Sequence, residues 1–179
     1  MLTTAHTLLL VIDVQGKLAD LAWRAETIQK NVGTLIDGAK VLGIPMVATE
    51  QYPKGLGSTI PSIIEKLDGA RVIEKDSFSC CANYDFEVML TEMHKTDIIV
   101  CGIETHVCVY QTVRDLLALG YNVHLVTDAV SSRTEENWKL GVRNCEKLGA
   151  KLTGVEMLLF ELLRVSGSDQ FKAISKLVK

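Results

Sequence analysis

A chain of 179 residues fits one domain and can bury on the order of 70% of the surface its unfolded form exposes. With 47% hydrophobic residues, 23% charged residues and a net charge of −3, it lacks the basic excess that marks a nucleic-acid partner. Its early apolar run, Leu8–Ile12, ends in Asp13 and is too short for a signal peptide or a membrane span.

In chain order, strands and helices alternate. Thr7 to Val14 is a continuous apolar run of strand length, as burial on both faces demands. Ile28, Val32, Leu35, Ile36, Ala39 and Leu42 then fall on one helical face, and Gly43 supplies the stop. Pro45–Thr49 reads as a second strand feeding a polar loop, Glu50 to Ser58, and Pro61 suits the opening of a short helix running to Leu67. Arg71–Glu74 is a third, shorter strand suited to the sheet edge. Phe86, Met89, Leu90 and Met93 give the next helical stripe, with Asn83 as its cap. Asp97–Cys101 is a fourth strand, followed by a glycine turn and a helix carrying Val109, Val113, Leu116 and Leu117 to a stop at Gly120. Asn122–Thr127 is a fifth strand. Ser132 with Glu135 three residues on reads as a capping box for a helix buried through Trp138, Val142 and Cys145. A sixth strand near Lys151–Thr153 and one or two C-terminal helices complete the chain.

This rhythm predicts an α/β fold: a three-layer, doubly wound sheet of about six parallel strands with helices on both faces. Such a sheet gathers its chemistry at the C-terminal strand ends. Asp13 ends the first strand, Lys75 follows the third and Cys108 lies just beyond the fourth, so one crevice is expected to collect a carboxylate, an ammonium and a thiol.

Each of these residues also has a plainer reading. An Asp after a strand is often a turn cap, a Lys between Glu74 and Asp76 is often a solvated charge, and a Cys is often a small buried hydrophobe, as read for Cys101 and Cys145. Cys108 differs by its place in the first turn of a helix, where amide donors and the positive dipole end favour thiolate. The five cysteines form an odd set without paired spacing, which points to reduced thiols in a cytosolic setting.

Val11-Ile12-Asp13-Val14-Gln15, Lys75-Asp76-Ser77-Phe78-Ser79 and Gly102-Ile103-Glu104-Thr105-His106-Val107-Cys108-Val109 resemble the three signature segments of the isochorismatase-like cysteine hydrolases. Glu50 to Gly57, with Pro61 beyond, resembles the branch called isochorismatase domain-containing proteins. The resemblance implies Cys108 as nucleophile, Asp13 as the group that takes and returns protons, and Lys75 as the ammonium that holds the site. It also implies a cis peptide between Ile103 and Glu104, with the Glu104 and Cys108 amides forming an oxyanion hole. The implied reaction is hydrolysis of a small amide-like substrate through a thioester, in a dimer or larger homo-oligomer of cytoplasmic protein. The apolar C-terminal helices are the expected interface.

Nicotinamidase-type members carry an Asp-x-His pair and a further His for a divalent metal after the second strand. Thr49-Glu50-Gln51-Tyr52-Pro53 holds no histidine, so no metal and no cofactor are expected. Gln15, Glu50, Tyr52, Phe78 and Tyr110 are placed near the crevice by topology as substrate contacts, Glu50 and Glu104 having structural hydrogen bonding as their alternative. His106 either lines the pocket or points to water. Two other classes stand beside the hydrolase: a catalytically retired subunit serving as a scaffold, and a thiol-redox protein, which would need a resolving cysteine. Isochorismate-type vinyl-ether cleavage is a further alternative, and it does not require a thiol.

Overall fold

A computed structural model describes residues 2–179. Six strands, β1 (Thr7–Ile12), β2 (Met46–Gln51), β3 (Arg71–Lys75), β4 (Asp97–Ile103), β5 (Asn122–Ser131) and β6 (Lys151–Thr153), form one all-parallel sheet in the order β3-β2-β1-β4-β5-β6. The chain winds outward from β1 to β3, returns to place β4 beside β1, and winds outward again. β1 and β4 therefore flank the topological switch point, where a crevice opens beyond the strand ends.

Every residue of β1 and β4 is buried, which is why both read as unbroken apolar runs. Alternate residues divide between two cores. Leu9, Val11, Ile99 and Cys101 pack with α2 (Ala25–Leu42), α8 (Val155–Leu163) and α9 (Asp169–Leu177) on one face. Leu8, Leu10, Ile12, Ile98 and Val100 pack with α5 (Tyr84–Glu92), α6 (Tyr110–Ala118) and α7 (Glu135–Leu148) on the other. The short helices α1 (Gly16–Asp20) and α3 (Pro53–Leu56) border the strand-end crevice, and α4 (Pro61–Ile64) packs against α2.

Four expectations change. The C-terminal helices spend their apolar face inside the chain: Leu158, Leu159, Leu162 and Ile174 are buried against α2, with Leu159 lying directly over Gly38, leaving Met157 and Val165 exposed. The cap of α7 is Thr134, whose hydroxyl accepts from the Asn137 amide at 3.2 Å, whereas Ser132 bonds His106 Nδ1 at 3.0 Å. The strands β2, β4 and β5 run past their expected ends, because paired neighbours extend a ladder beyond the apolar core. α1 and α3 were not expected, being too short to show a helical period. Among the described residues, no helix is long and apolar enough to cross a membrane.

Candidate active site

Asp13 follows β1 in a left-handed conformation, φ 50°, which turns its carboxylate back over the strand end. Aspartate tolerates this region better than most side chains. The neighbouring strand accommodates the turn through Gly102: at its φ of 113°, a Cβ would lie 2.0 Å from the Ile12 carbonyl oxygen. The β4–β5 register also shifts between Val100 and Gly102, so the sheet is locally irregular where the site forms.

Lys75 ends β3, two strands from β1, a separation of roughly 10 Å. Its four-carbon stem crosses that gap. Nζ donates to Asp13 Oδ2 at 2.7 Å, to Gln51 Oε1 at 2.8 Å, and to the Ser77 and Phe78 carbonyls at 3.2 Å each. An ammonium has three protons, so these acceptors saturate it. Asp13 Oδ1 accepts from the Thr49 hydroxyl at 2.7 Å, and the Cys80 thiol lies 3.8 Å from the same hydroxyl. Both oxygens of Asp13 are thus held, and the pair is closed to water, with side-chain exposures of 0% for Lys75 and 2% for Asp13.

After β4 the Ile103–Glu104 peptide is cis, and the chain enters one π-helical turn, Thr105–Val109, which leads into α6. Cys108 occupies this turn and not the first turn of an ordinary α-helix. Its thiol is not lowered toward thiolate, contrary to the expectation from sequence. Burial pushes it up to about 12; the Asp13 carboxylate adds to the rise and Lys75 opposes it. The ammonium is already committed to Asp13, so what the thiol meets is a largely buried position beside a carboxylate. The resting pair is therefore a neutral thiol next to a base.

A cavity of about 410 Å³ joins these groups. Asp13, Gln51, Ile103, Glu104, Val107 and Cys108 form its inner part; Leu18, Leu21, Leu56 and Phe78 give apolar walls; Lys17 and Arg133 stand at its rim. Phe78 lines this cavity, and its main-chain carbonyl accepts from Lys75.

Other expected contacts lie elsewhere. Gln15 is fully buried and spends its amide on main chain: Nε2 donates to the Gly57 and Gln51 carbonyls, and Oε1 accepts from the Gln51 amide. Glu50 is also structural, accepting from the Thr59 amide at 2.7 Å. Tyr52 lies over Gly55 and lines a separate groove with Pro53, Glu74 and Asn83. Tyr110 packs against the second core. His106 is tied to Ser132 and does not line the cavity. Gln51, Thr49, Lys17 and Arg133 were not singled out from sequence. Gln51 and Thr49 had a signal, since the alternation along β2 fixes which residues face the strand-end crevice. Among the described residues, no three His, Cys, Asp or Glu side chains gather as a metal site would require, and Gln51, the last residue of β2, serves as an acceptor for Lys75.

The isochorismatase domain model matches residues 7–157, which contain all of these groups. The chain belongs to the isochorismatase family. It is 40% identical over 177 residues to the secreted isochorismatase effector Isc1 of Phytophthora sojae, covering 97% of this chain and 84% of that protein. Isochorismatase domain-containing protein 2 of Danio rerio is 33% identical over 177 residues, covering 99% and 89%. Among solved structures, the MAR1 ribonuclease of Caenorhabditis elegans superposes with a TM-score of 0.93 at 39% identity, covering 99% of this chain and 91% of that one. YcaC of Pseudomonas aeruginosa, solved with covalent acrylamide, gives 0.92 at 25% identity, covering 98% and 90%. The family assignment makes the chain an isochorismatase-family hydrolase of α/β fold.

Proposed function

We propose that this isochorismatase-family protein is a cysteine-dependent amidohydrolase acting on a small substrate through a thioester. The observation that carries the reading is Asp13, ion-paired to buried Lys75, lining the same cavity as Cys108. Asp13 takes the thiol proton as sulfur attacks the amide carbonyl, so a thiolate forms only as the C–S bond does. The oxygen's developing charge is met by the main-chain amides of Glu104 and Cys108, each such donor being worth roughly 3 kcal/mol of barrier. The tetrahedral intermediate collapses as Asp13 returns its proton to the leaving amine, giving the acyl-enzyme. Asp13 then deprotonates water, which cleaves the thioester, releasing the acid and restoring the thiol. Lys75 offsets the Asp13 charge throughout, and Phe78 packs against the acyl portion.

The covalent acrylamide described for the YcaC structure supports a reactive nucleophile in this fold. The ribonuclease name of the nematode structure favours a different substrate, but a net charge of −3 and a largely apolar cavity support a small molecule here. All five cysteines are free, which supports a reducing, cytoplasmic setting. One domain spanning 1–179 and self-association into a dimer or larger oligomer belong to the same reading. Exposed Met157 and Val165 support the latter.

The test is ammonia release from a panel of small primary amides, with intact-mass detection of an acyl adduct. Cys108→Ala is expected to abolish both, and Cys108→Ser to lower turnover severely. Full turnover by Cys108→Ala would sink the reading, as would efficient RNA cleavage that survives this substitution.

A further inference from the structure

Large apolar side chains open to water are informative where several share one opening. Leu21, Leu56 and Phe78 are 66%, 41% and 53% exposed, and all three line the cavity of about 410 Å³, with half-buried Leu18 and Val107 beside them. They come from separate stretches of chain: Leu18 in α1 and Leu21 just after it, Leu56 in α3, Phe78 in the loop after β3 and Val107 in the π-helical turn. No single amphipathic face accounts for the opening, since four segments bring apolar side chains to one space. The ionic side chains of the lining cancel, Asp13 and Glu104 against Lys17 and Arg133. Both carboxylates are already engaged, Asp13 by Lys75 at 2.7 Å and Glu104 by Arg133 Nε at 3.0 Å. Lys17 and Arg133 are exposed, so their charges are hydrated and screened. The lining thus offers a charged group little that water does not, while the apolar walls would strip that group of its hydration. An uncharged chain gains from the same walls. The cavity falls at the small end of the range for small-molecule sites, roughly 300–1,000 Å³.

We propose that the cavity selects an uncharged aliphatic amide, with the carboxamide at Cys108 and the acyl chain running out between Leu18, Leu21, Leu56 and Phe78. The amide chemistry rests on the hydrolase reading above; the preference for an apolar chain does not. Leu21 and Phe78 are thereby specificity-determining residues, because each methylene drawn between them leaves water and covers part of their own exposed surface.

The preference is tested without turnover by a series of alkyl methanethiosulfonates, methyl to pentyl, which are uncharged and share a leaving group. The Cys108 sulfur bonds the alkylthio sulfur, methanesulfinate leaves, and the thiol proton passes to Asp13. Rates are read by mass spectrometry of the Cys108 peptide under non-reducing conditions and divided by those of N-acetylcysteine. The quotient is expected to rise by up to about fourfold for each methylene buried. The rise should flatten in Leu21→Ser and Phe78→Ser, whose side chains are more than half exposed, so the fold does not rest on them; circular dichroism melts of both variants check this. It should persist in Met157→Ser, a residue as exposed as Leu21 but outside the cavity. A quotient that does not climb with chain length, a climb unchanged in both cavity variants, or one flattened equally by Met157→Ser overturns the proposal. With substrates, kcat/KM should climb from acetamide through butyramide to hexanamide, and butyramide should exceed succinamate, its carboxylate-ended counterpart. Ammonia release from none of these amides beside a climbing quotient counts against the amidohydrolase reading alone; equal release from all, or a preference for succinamate, counts against the apolar-chain selectivity alone.

Discussion

The Lys75 ammonium lies 2.7 Å from Asp13 Oδ2 with neither side chain open to solvent. This buried ion pair ties the edge strand β3 to the central strand β1, across β2. Its members are isolated from water, so each is the other's partner in place of solvent.

Removing both partners should therefore cost less than the sum of removing each alone. Lys75→Met strands a buried carboxylate and is expected to lower stability by about 3–5 kcal/mol, and Asp13→Asn strands the ammonium. The double variant should be less destabilised than the sum, with a coupling in the range of roughly 1–3 kcal/mol. Urea denaturation of the four proteins closes the cycle. A Lys75→Met cost below 1 kcal/mol would show that the pair is open to water after all. Turnover should be lost in all three variants.

The cysteines give a pH dependence of defined sign. Burial pushes Cys80 up to about 11 and Cys81, Cys108 and Cys145 up to about 12, and it raises Cys101 further. A thiol is an acid whose folded value here lies above its unfolded one. Between the two values the folded chain binds more protons, so rising pH favours unfolding. Stability is expected to hold below about pH 9 and to fall from there toward pH 11–12, by up to about 1.4 kcal/mol per pH unit for each thiol. Urea midpoints measured from pH 8 to 10.5 under reducing conditions check this. Cys145→Ala, remote from the cavity, should show a shallower decline than the parent protein, and parallel curves would contradict the assignment.

Much of this was legible in the sequence because the relevant signals are local. A parallel sheet buries its strands on both faces, so β1 and β4 announce themselves as apolar runs, and the strand-end rule then places Asp13, Lys75 and Cys108 together. What escaped is set by tertiary contacts. The spacing of Ser132 and Glu135 imitates a capping box, yet Ser132 is taken by His106 and Thr134 caps α7. Gln15 and Glu50 sit near the crevice in sequence but are consumed by main-chain groups of the Gln51–Thr59 loop. Cys108 departs from the thiolate that a helix-start position suggests, because burial and the Asp13 carboxylate outweigh the Lys75 ammonium. Arg133 is 29 residues from the Glu104 side chain that orients it, and no periodicity reports such a contact.

Thr49 supplies the second hold on Asp13. Thr49→Val keeps the shape and deletes the hydroxyl, leaving Asp13 Oδ1 short of a donor in a dry site. A loss of about 1–3 kcal/mol in stability is expected. Turnover should fall by at least tenfold if the carboxylate must be fixed in orientation to serve the thiol. Thr49→Ser, which restores the donor to Asp13 and the neighbour of Cys80, should recover most of the activity. Equal rates for Val and Ser would remove the hydroxyl from any positioning role.

Gly141 bears on the nucleophile from behind. It lies in α7 where the helix rests on the main chain of the π-helical turn: an added Cβ would stand 2.8 Å from the Thr105 carbonyl carbon and oxygen and 2.9 Å from the His106 nitrogen. None of these atoms can rotate away, so Gly141→Ala must displace either α7 or the turn that carries Cys108. Overpacking of this kind costs about 1–3 kcal/mol, and a displacement near 1 Å at a reacting group can cost turnover about a hundredfold. Gly33→Ala in α2 is the matched control: its Cβ would meet only the flexible Lys66 stem, at 3.2 Å from Cε. There the helix gains propensity, by roughly 0.5–1 kcal/mol, and the lysine yields. The same substitution in two helices should thus change stability with opposite signs, and only the one behind Cys108 should depress turnover. If both variants hydrolyse substrate like the parent, the turn tolerates movement and the packing of α7 does not set the position of the thiol.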